Sequence, residues 1–342
     1  MPMTDSADPS APGPGGLLIH IGSQKTGSTA LQNFLSANET ALAGRGLRFL
    51  ATGRRNISHN SLFRPLRGPD AAAIWADVAA EVAAHPDTLS IMSSENFFDR
   101  DIAAAMARHM PAGLRGACRV VAYARRQDAY LEAMYKQKTK NGREHLSPLD
   151  FVAKVGDEIA DYRAILGAFA DVIGDDAVIL RRFERRALKN GDVIADFLGV
   201  LGLNMADADF VQPERDANQT LSRAVTEQMG ALARHTKINV RELAREMILD
   251  PDGAPRRSRD VFTKGQCLQI MAHFADGNAA VCKRFIKDDD GPLFDMADLA
   301  PDAPDRYPPP QEELALYAQA QERIAAAIGR IERRNRARLF RG

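Results

Sequence analysis

The sequence predicts an α/β protein with three layers, in which helices flank a central parallel sheet and the C-terminal part is rich in helix. Three observations lead to this prediction. Short apolar runs alternate with segments of helical periodicity, as in chains whose parallel strands are joined by helical crossovers. The first apolar run ends in a glycine-containing turn that leads into an amphipathic segment. Beyond residue 215 the chain is more polar and keeps helical patterns.

Five short segments have the composition of strands. Residues 17–21 are continuously apolar and contain no proline, which is typical of a buried strand in a parallel sheet. A glycine-bearing stretch at 44–53 contains a second, shorter strand. The other three segments are apolar runs of the same kind, each ending in polar or charged residues. The predicted strands lie at 17–21, within 44–53, and at 88–95, 119–126 and 176–184.

Helices are predicted where apolar residues recur every three or four positions, or where alanine is abundant. After the first strand, Leu31, Phe34 and Leu35 have this spacing. The alanine-rich stretch 72–85 forms the next helix. Further helices are predicted at 101–110, 128–138, 191–203, 222–235 and 263–285, and after the prolines of 301–310.

We expect one large domain with short extensions at both ends. Residues 1–16 hold four prolines and no apolar run, which predicts a disordered lead-in and no signal peptide. The α/β domain is expected at 17–300, a proline-rich linker at 301–310 and a basic helix at 311–342. No window reaches the apolar length that a membrane helix needs, so we expect a cytoplasmic protein.

Composition excludes several classes of function. Lys plus Arg and Asp plus Glu both number 45, so net charge does not indicate nucleic acid, and we expect none as a partner. Cys118, Cys267 and Cys282 are scattered, which argues for a reducing compartment and against a disulfide framework or a zinc site. The seven histidines form no pair with metal-ligand spacing on a helix, so we expect no metal.

Residues 22–29, here called the glycine loop, have the pattern of an anion-binding turn. Gly22 and Gly27 have the G-x-x-x-x-G spacing between a strand and a helix, and two hydroxyl residues follow. The first N–H groups of such a helix point out of its positive end and bind phosphate or sulfate oxygens. In a nucleotide-binding P-loop the lysine follows the second glycine, whereas Lys25 lies two residues before Gly27. The sequence therefore predicts an anion site with an unusual lysine position.

The stretch QKTGST strongly resembles the 5′-phosphosulfate loop of sulfotransferases that use 3′-phosphoadenosine 5′-phosphosulfate (PAPS). Their loop reads Pro-Lys-[Ser/Thr]-Gly-[Ser/Thr]-[Ser/Thr], so Gln24 replaces the proline and the remaining positions match. The resemblance implies that Lys25 stabilises the oxygen between sulfur and phosphorus as their bond breaks, without a metal ion. It also implies that the loop cradles the donor with Gly22, Gln24, Lys25, Thr26, Gly27, Ser28 and Thr29.

A second motif of this family lies at the end of the strand predicted at 119–126. The stretch VVAYARRQDAYLEAMYKQ resembles the bacterial branch that acts on carbohydrates and polysaccharides. The resemblance implies that Arg125 binds the 3′-phosphate of the nucleotide, and Arg126 is expected to assist. The family's serine, eight residues after the arginine, is Ala133 here, so the residue that replaces this contact is left open. Weaker similarity extends over most of residues 17–296 and implies a carbohydrate acceptor.

Sulfation of a hydroxyl needs a base that takes its proton, and members of the family use a glutamate or a histidine. Glu95 ends the predicted strand 88–95, at the carboxyl edge where open parallel sheets bind ligands. His59 lies in a polar stretch between elements, where functional residues are common. The sequence does not decide between them, and one can be the base while the other orients it.

The leading interpretation is a PAPS-dependent sulfotransferase that transfers the sulfuryl group directly to a hydroxyl and releases 3′,5′-adenosine bisphosphate (PAP). Two alternatives stay open. The first is a P-loop kinase or NTPase in which Glu95 positions magnesium and water, although Ser28 stands where its lysine belongs. The second is a non-catalytic relative that binds nucleotide or glycan, for which Ala133 is the argument.

Two basic segments are candidates for contacts with an anionic partner. One is 135–143, with three lysines and an arginine, and the other is 330–342, with six arginines. The charge of an ordinary solvated helix end accounts for both segments as well, so the role of the arginine-rich C-terminus is left open.

Overall fold

The structure is a computed structural model that describes residues 13–144, 146–212, 220–249, 259–286, 291–305 and 307–339. Most of the expected disordered lead-in, at 1–12, lies outside the described residues. Contacts divide the described chain into two compact units, each built from three separate segments. The first unit takes its residues from Met1–Arg126, Asp161–Arg215 and Ala275–Phe294. The second unit takes its residues from Gln127–Ala160, Asp216–Phe274 and Asp295–Gly342.

A parallel sheet forms the centre of the first unit. The strands of the described chain are β1 (Leu17–Gly22), β2 (Leu47–Phe49), β3 (Leu89–Ser93), β4 (Cys118–Ala124) and β5 (Val178–Arg182). Their order across the sheet is β2-β3-β1-β4-β5, and every neighbouring pair is parallel. The predicted α/β class and the five predicted strands are therefore confirmed.

Helices connect the strands and make up the second unit. In chain order, the α-helices of the described residues are α1 (Ser28–Ala37), α2 (Glu39–Ala43), α3 (Ala71–Ala83), α4 (Arg100–His109), α5 (Ala112–Gly116), α6 (Gln127–Lys140), α7 (Pro148–Ala160), α8 (Tyr162–Ile173), α9 (Val193–Val200), α10 (Arg223–His235), α11 (Val240–Leu249), α12 (Lys264–His273), α13 (Ala275–Phe285) and α14 (Pro310–Leu339). Within the described ranges, none of them combines the length and the apolar character that crossing a bilayer requires.

The observed helices differ from the predicted ones at two places. The single helix expected at 263–285 is divided into α12 and α13, because the backbone of Phe274 leaves helical geometry at φ −95° and ψ 3°. Helices α7 and α8 occupy 148–173, where the sequence analysis placed no element. Helix α8 does carry the expected signal, since its buried Ile165, Leu166 and Phe169 recur at helical spacing.

The core of the first unit lies on the sheet. Every residue of β1 is buried, as expected of a strand covered on both sides. On one face, Leu18 and Val121 belong to a core cluster with Phe34 of α1 and Phe197 of α9. Successive side chains of a strand point to opposite faces, and α8 also packs against β4 and β5. Helices on the sheet thus pack against the central strands, whose ends lead into the candidate site.

The second unit is helical. Helices α10, α11 and α14 pack around an apolar core that includes Val225, Leu243 and Ile324. Helix α6 packs against α7, α10 and α12 of the same unit. Part of the basic segment 330–342 is used inside this unit, because Arg330 and Arg334 each reach a Glu246 oxygen at 2.7 Å.

A buried ion cluster, made of Asp128, Glu132, Lys136, Arg259 and Asp260, ties α6 to the residues before α12. The Lys136 ammonium contacts Asp260 and lies 3.3 Å from a Glu132 oxygen. The Arg259 guanidinium lies 2.8 Å from Asp128, and the two Glu132 oxygens accept the N–H groups of Arg259 and Val261. The cluster side chains, apart from that of Arg259, are at most 7% exposed.

Candidate active site

Three chain segments meet at the carboxyl edge of the central strands. Strand β1 leads into the glycine loop, β3 leads into Ser94–Glu95, and β4 leads into Arg125. These strands are neighbours in the order β3-β1-β4. From β1 the chain continues to β2 on one side of the sheet, and from β4 it continues to β5 on the other. In open α/β sheets ligands commonly bind beyond the strand ends at such a reversal, and the glycine loop, Glu95 and Arg125 follow these strands.

The glycine loop has a tightly curved backbone. Gly22, Lys25 and Gly27 have φ values of 93°, 64° and 79°, in the left-handed region that favours glycine. A lysine in this region is strained, so the surrounding structure must hold it. Part of that support comes from Ser23, whose N–H and Oγ both donate to the Tyr123 carbonyl of β4 at 3.1 Å.

The hydroxyl groups of the loop differ in their roles. Thr26 and Ser28 are buried, and both donate to the Ser23 carbonyl, Ser28 over 3.3 Å. Their hydroxyls therefore stabilise the turn itself. Thr29 is exposed on the first turn of α1. The half-buried Gln24 donates to the Asn96 side chain at 3.2 Å and so connects the loop with the segment after β3.

The start of α1 is suited to an anion. Gly27 occupies the N-cap position with no side-chain hydrogen bond, and the first turn contains no acidic residue. The positive end of the helix is therefore not neutralised by its own side chains. A Cβ atom at Gly27 would lie 2.9 Å from the Val193 side chain, so the loop requires glycine here for space as well as for its φ angle.

Arg125 reaches the glycine loop. Its guanidinium Nη1 donates to the Lys25 carbonyl at 3.1 Å, although the two residues are 100 positions apart in sequence. The Arg125 carbonyl accepts a hydrogen bond from the Tyr162 hydroxyl of α8. Arg126 is buried at 5% exposure. Ala133 lies within α6, in the second unit.

Glu95 also lies against the loop. A Cβ atom added to Gly22 would come within 2.8 Å of the Glu95 Cα, so only glycine permits this approach. The half-buried Glu95 carboxylate accepts hydrogen bonds at both oxygens. Gln32 of α1 donates to Oε2 at 2.7 Å, and Asn60 donates to Oε1 at 2.9 Å.

His59 lies in the core. It is fully buried, its Nδ1 accepts the Ser93 N–H at 3.2 Å, and its Nε2 is 3.1 Å from the Leu50 carbonyl. Burial, which disfavours the charged ring, lowers the pKa of His59 to about 4. The structure thus brings Glu95, Arg125 and the loop together, whereas both ring nitrogens of His59 are engaged by backbone groups.

Several residues at this edge were missed by the sequence analysis. Gln32, Asn60, Ser94 and Asn96 bring amides and a hydroxyl to the surroundings of Glu95. Polar side chains of this kind are common on any protein surface, and their sequence positions carry no periodic signal. Gln32 offered one hint, because a polar residue on the buried face of α1 requires a hydrogen-bond partner.

No protein-family model matches the sequence. An uncharacterised protein from Archaeoglobus fulgidus is 32% identical over 137 residues, which is 40% of this chain and 36% of the relative. The chain thus aligns with about a third of the length of that relative. A crystal structure of a sulfotransferase from Alicyclobacillus acidocaldarius has a TM-score of 0.39 and 14% identity, covering 65% of this chain and 96% of its own.

Within the described ranges, no group of three or more histidine, cysteine, aspartate or glutamate side chains is arranged to hold a metal ion.

Proposed function

We propose that the protein is a sulfotransferase that moves the sulfuryl group of PAPS to the hydroxyl of a carbohydrate acceptor by direct in-line transfer. The observation that carries this proposal is the 3.1 Å hydrogen bond from Arg125 to the Lys25 carbonyl. It joins the two sequence motifs that resemble the donor-binding motifs of this family. The two motifs follow neighbouring parallel strands, so both lie at the carboxyl edge of the sheet, where one donor molecule can contact both.

The shape of the loop fits the donor. The uncapped start of α1 and the left-handed turn at Gly27 suit the oxygens of a 5′-phosphosulfate. In this proposal Lys25 and the backbone N–H groups of 26–29 hold that group, with Gly22 and Gln24 shaping the loop. Arg125 and Arg126 hold the 3′-phosphate, because guanidinium groups bind phosphate with paired hydrogen bonds. The donor supplies an activated sulfuryl group and leaves as PAP.

The chemistry divides between two side chains. The Glu95 carboxylate takes the proton of the acceptor hydroxyl, whose oxygen forms the new bond to sulfur. The bond from sulfur to the bridging phosphate oxygen breaks, and its electron pair stays on that oxygen. The Lys25 ammonium stabilises this developing charge more in the transition state than in the ground state. No metal ion is required by this scheme.

Glu95 is the better candidate for the base, and we assign His59 a supporting role. His59 is held by two backbone groups and is deeply buried, so it has no path to an acceptor proton. Its contact with the Ser93 N–H instead fixes the end of β3, directly before Ser94 and Glu95. In this proposal Glu95 takes the acceptor proton and His59 supports the end of β3.

The first experiment compares ligands. Without metal, PAP, ATP and GTP are each added to the protein, and the unfolding temperature is measured. A true ligand at a hundredfold excess over its dissociation constant stabilises by about 2.7 kcal/mol. We expect PAP to do so, and ATP and GTP to have little effect. Stabilisation by ATP with magnesium-dependent turnover would instead indicate a P-loop kinase or NTPase.

The second experiment tests Lys25 directly. The Lys25→Ala variant should lose about 10²–10³-fold in sulfuryl transfer from radiolabelled PAPS, with a loss of PAP affinity below about tenfold. Lys154→Ala, at an exposed position of α7, is the control. Near-normal transfer by Lys25→Ala would refute the role of the lysine. Tight binding of PAP with no transfer to any sugar, phenol or amine by the unchanged protein would identify a non-catalytic relative.

A further inference from the structure

The Glu95 carboxylate is the end point of a directed series of hydrogen bonds. The Asn96 N–H donates to Ser94 Oγ at 3.3 Å, and Ser94 Oγ donates to Asn60 Oδ1 at 2.7 Å. The Asn60 amide then presents its NH₂ group to Glu95 Oε1 at 2.9 Å. Since Ser94 Oγ already accepts from Asn96, its own hydrogen is available for Asn60. An ionised carboxylate only accepts hydrogen bonds, so the Asn60 NH₂ group faces Glu95 and its Oδ1 faces Ser94.

Gln32 holds the second oxygen. It lies on α1, four residues after Ser28, and its side chain is 2% exposed. Its Nε2 donates to Glu95 Oε2 at 2.7 Å. The helix that presents its N-terminus to the glycine loop therefore also reaches Glu95. The opposite end of the series is tied to the same loop, because Gln24 donates to the Asn96 side chain.

The donors to this carboxylate are neutral. An amide orients a carboxylate while leaving its negative charge in place, whereas an ammonium or guanidinium at contact distance neutralises it and weakens it as a base. Besides His20 of β1, which hydrogen-bonds to Ser93, the titratable groups on the segments packed around Glu95 include Lys25 in the loop, Arg125 after β4 and His59 before Asn60. Within the described chain, the hydrogen-bond partners of the carboxylate are Gln32 and Asn60, and none of those three is among them.

We propose that Gln32 and Asn60 are positioning residues that aim the Glu95 carboxylate at the acceptor hydroxyl, with Ser94 setting the orientation of Asn60. This inference rests on the proposed sulfotransferase function. Each carboxylate oxygen has two lone pairs, so an oxygen held by one amide still accepts a further hydrogen bond. The amides thus fix the direction of the remaining lone pairs, which is the condition for efficient proton transfer.

Two variants test the proposal in different ways. Gln32→Met keeps the volume but removes the donor, and we expect kcat for transfer from PAPS to fall about tenfold or more. Asn60→Asp keeps the shape but places a second carboxylate beside Glu95, which disfavours ionisation of both. The acidic limb of the kcat–pH profile should then move to higher pH. The ¹³C signal of the Glu95 carboxyl should titrate at higher pH in Asn60→Asp as well, in the absence of any acceptor.

Release of PAP from PAPS is followed with methyl glucoside, and with water alone, as the acceptor. Asn33→Ala is the matched control, because Asn33 follows Gln32 on α1 and is not among the hydrogen-bond partners of Glu95 in the described chain. We expect Asn33→Ala to retain the wild-type rate and pH profile. The affinity of the Gln32 and Asn60 variants for PAP should stay within about twofold of wild type, since neither residue is assigned to the donor.

The outcomes separate this inference from the proposed function. If the wild-type protein transfers the sulfuryl group and depends on Lys25, but Gln32→Met keeps the wild-type kcat and Asn60→Asp keeps the wild-type pH profile and ¹³C titration, the positioning role is wrong and the function stands. A wild-type protein that neither binds PAP nor consumes PAPS refutes both. Because Gln32 is buried, circular dichroism is used to check that the Gln32→Met variant is folded. The half-buried Asn60→Asp supplies the decisive result if Gln32→Met fails to fold.

Discussion

Carboxylates are held in opposite ways in two regions of this molecule. At the strand edge of the first unit, Glu95 is half-buried and is held by the neutral amides of Gln32 and Asn60. In the ion cluster of the second unit, Glu132 and Asp260 are buried against the Lys136 ammonium. A neutral donor directs a carboxylate, whereas a buried cation compensates its charge. Neutral partners at a half-buried position leave the negative charge of Glu95 in place, whereas burial against a cation makes Glu132 and Asp260 part of the structure.

The largest expected effect on stability comes from breaking the ion cluster. In Lys136→Met, Glu132 and Asp260 lose their ammonium partner inside the unit, and we expect the free energy of unfolding to fall by about 3–5 kcal/mol. Denaturant unfolding measures this loss. Glu95→Gln should change the free energy of unfolding by less than about 1 kcal/mol. The Glu95 side chain is partly exposed, so water can replace the contacts that are lost. Equal losses in both variants would contradict the comparison.

Acidification should test a third arrangement in the first unit, in which buried histidines are held by a serine hydroxyl and by backbone groups. Burial lowers the pKa of His20 to about 3 and that of His59 to about 4. The unfolded chain titrates near 6.5, so between pH 6.5 and 4 it binds protons that the folded chain does not. The free energy of unfolding therefore decreases as the pH is lowered, by about 2 kcal/mol per histidine at pH 5.

The measurement is urea unfolding at pH 7 and pH 5. We expect His59→Asn to lose less stability on acidification than the wild-type protein, because one of the two titrations is removed. His235→Asn, at an exposed position, should follow wild type. If His59→Asn is as acid-sensitive as wild type, the assigned burial effect on His59 is wrong.

A further effect concerns the contact between the loop and Glu95. Gly22→Ala combines a φ of 93° with a Cβ only 2.8 Å from the Glu95 Cα, and we expect a cost of about 1–3 kcal/mol. Thermal unfolding measures it. Transfer from PAPS should fall as well, since Glu95 is displaced from the loop. Gly113→Ala is the control, because nothing lies within 4 Å of the added carbon. A stable and fully active Gly22→Ala variant would show that the short distance between Gly22 and Glu95 is not required.

Much of the fold was predictable, because parallel strands buried on both faces produce apolar runs that a single sequence displays. All five strands, including the short β2, were predicted at their observed places. The helices α7 and α8 were not, although the apolar spacing of α8 was present. The division between α12 and α13 depends on the backbone angles of Phe274, which cannot be predicted from the spacing of apolar residues.

The site was predictable only in part. The glycine loop could be found because its chemistry is local: glycines, hydroxyls and a lysine follow one another in sequence. The surroundings of Glu95 are assembled from residues as distant as Gln32 and Asn60, and only the folded chain brings them together. Likewise, burial of His59 follows from tertiary packing, so a polar stretch of sequence gave no warning of it.

The hydrogen bond from Arg125 to the Lys25 carbonyl affects how the kinetics of Arg125 variants are interpreted. A substitution at Arg125 removes a support of the backbone as well as any contact with the nucleotide. Its measured penalty is therefore a composite, and a double-mutant cycle with Lys25 should be strongly non-additive. Affinity lost in an Arg125 variant cannot be equated with the strength of a single phosphate contact.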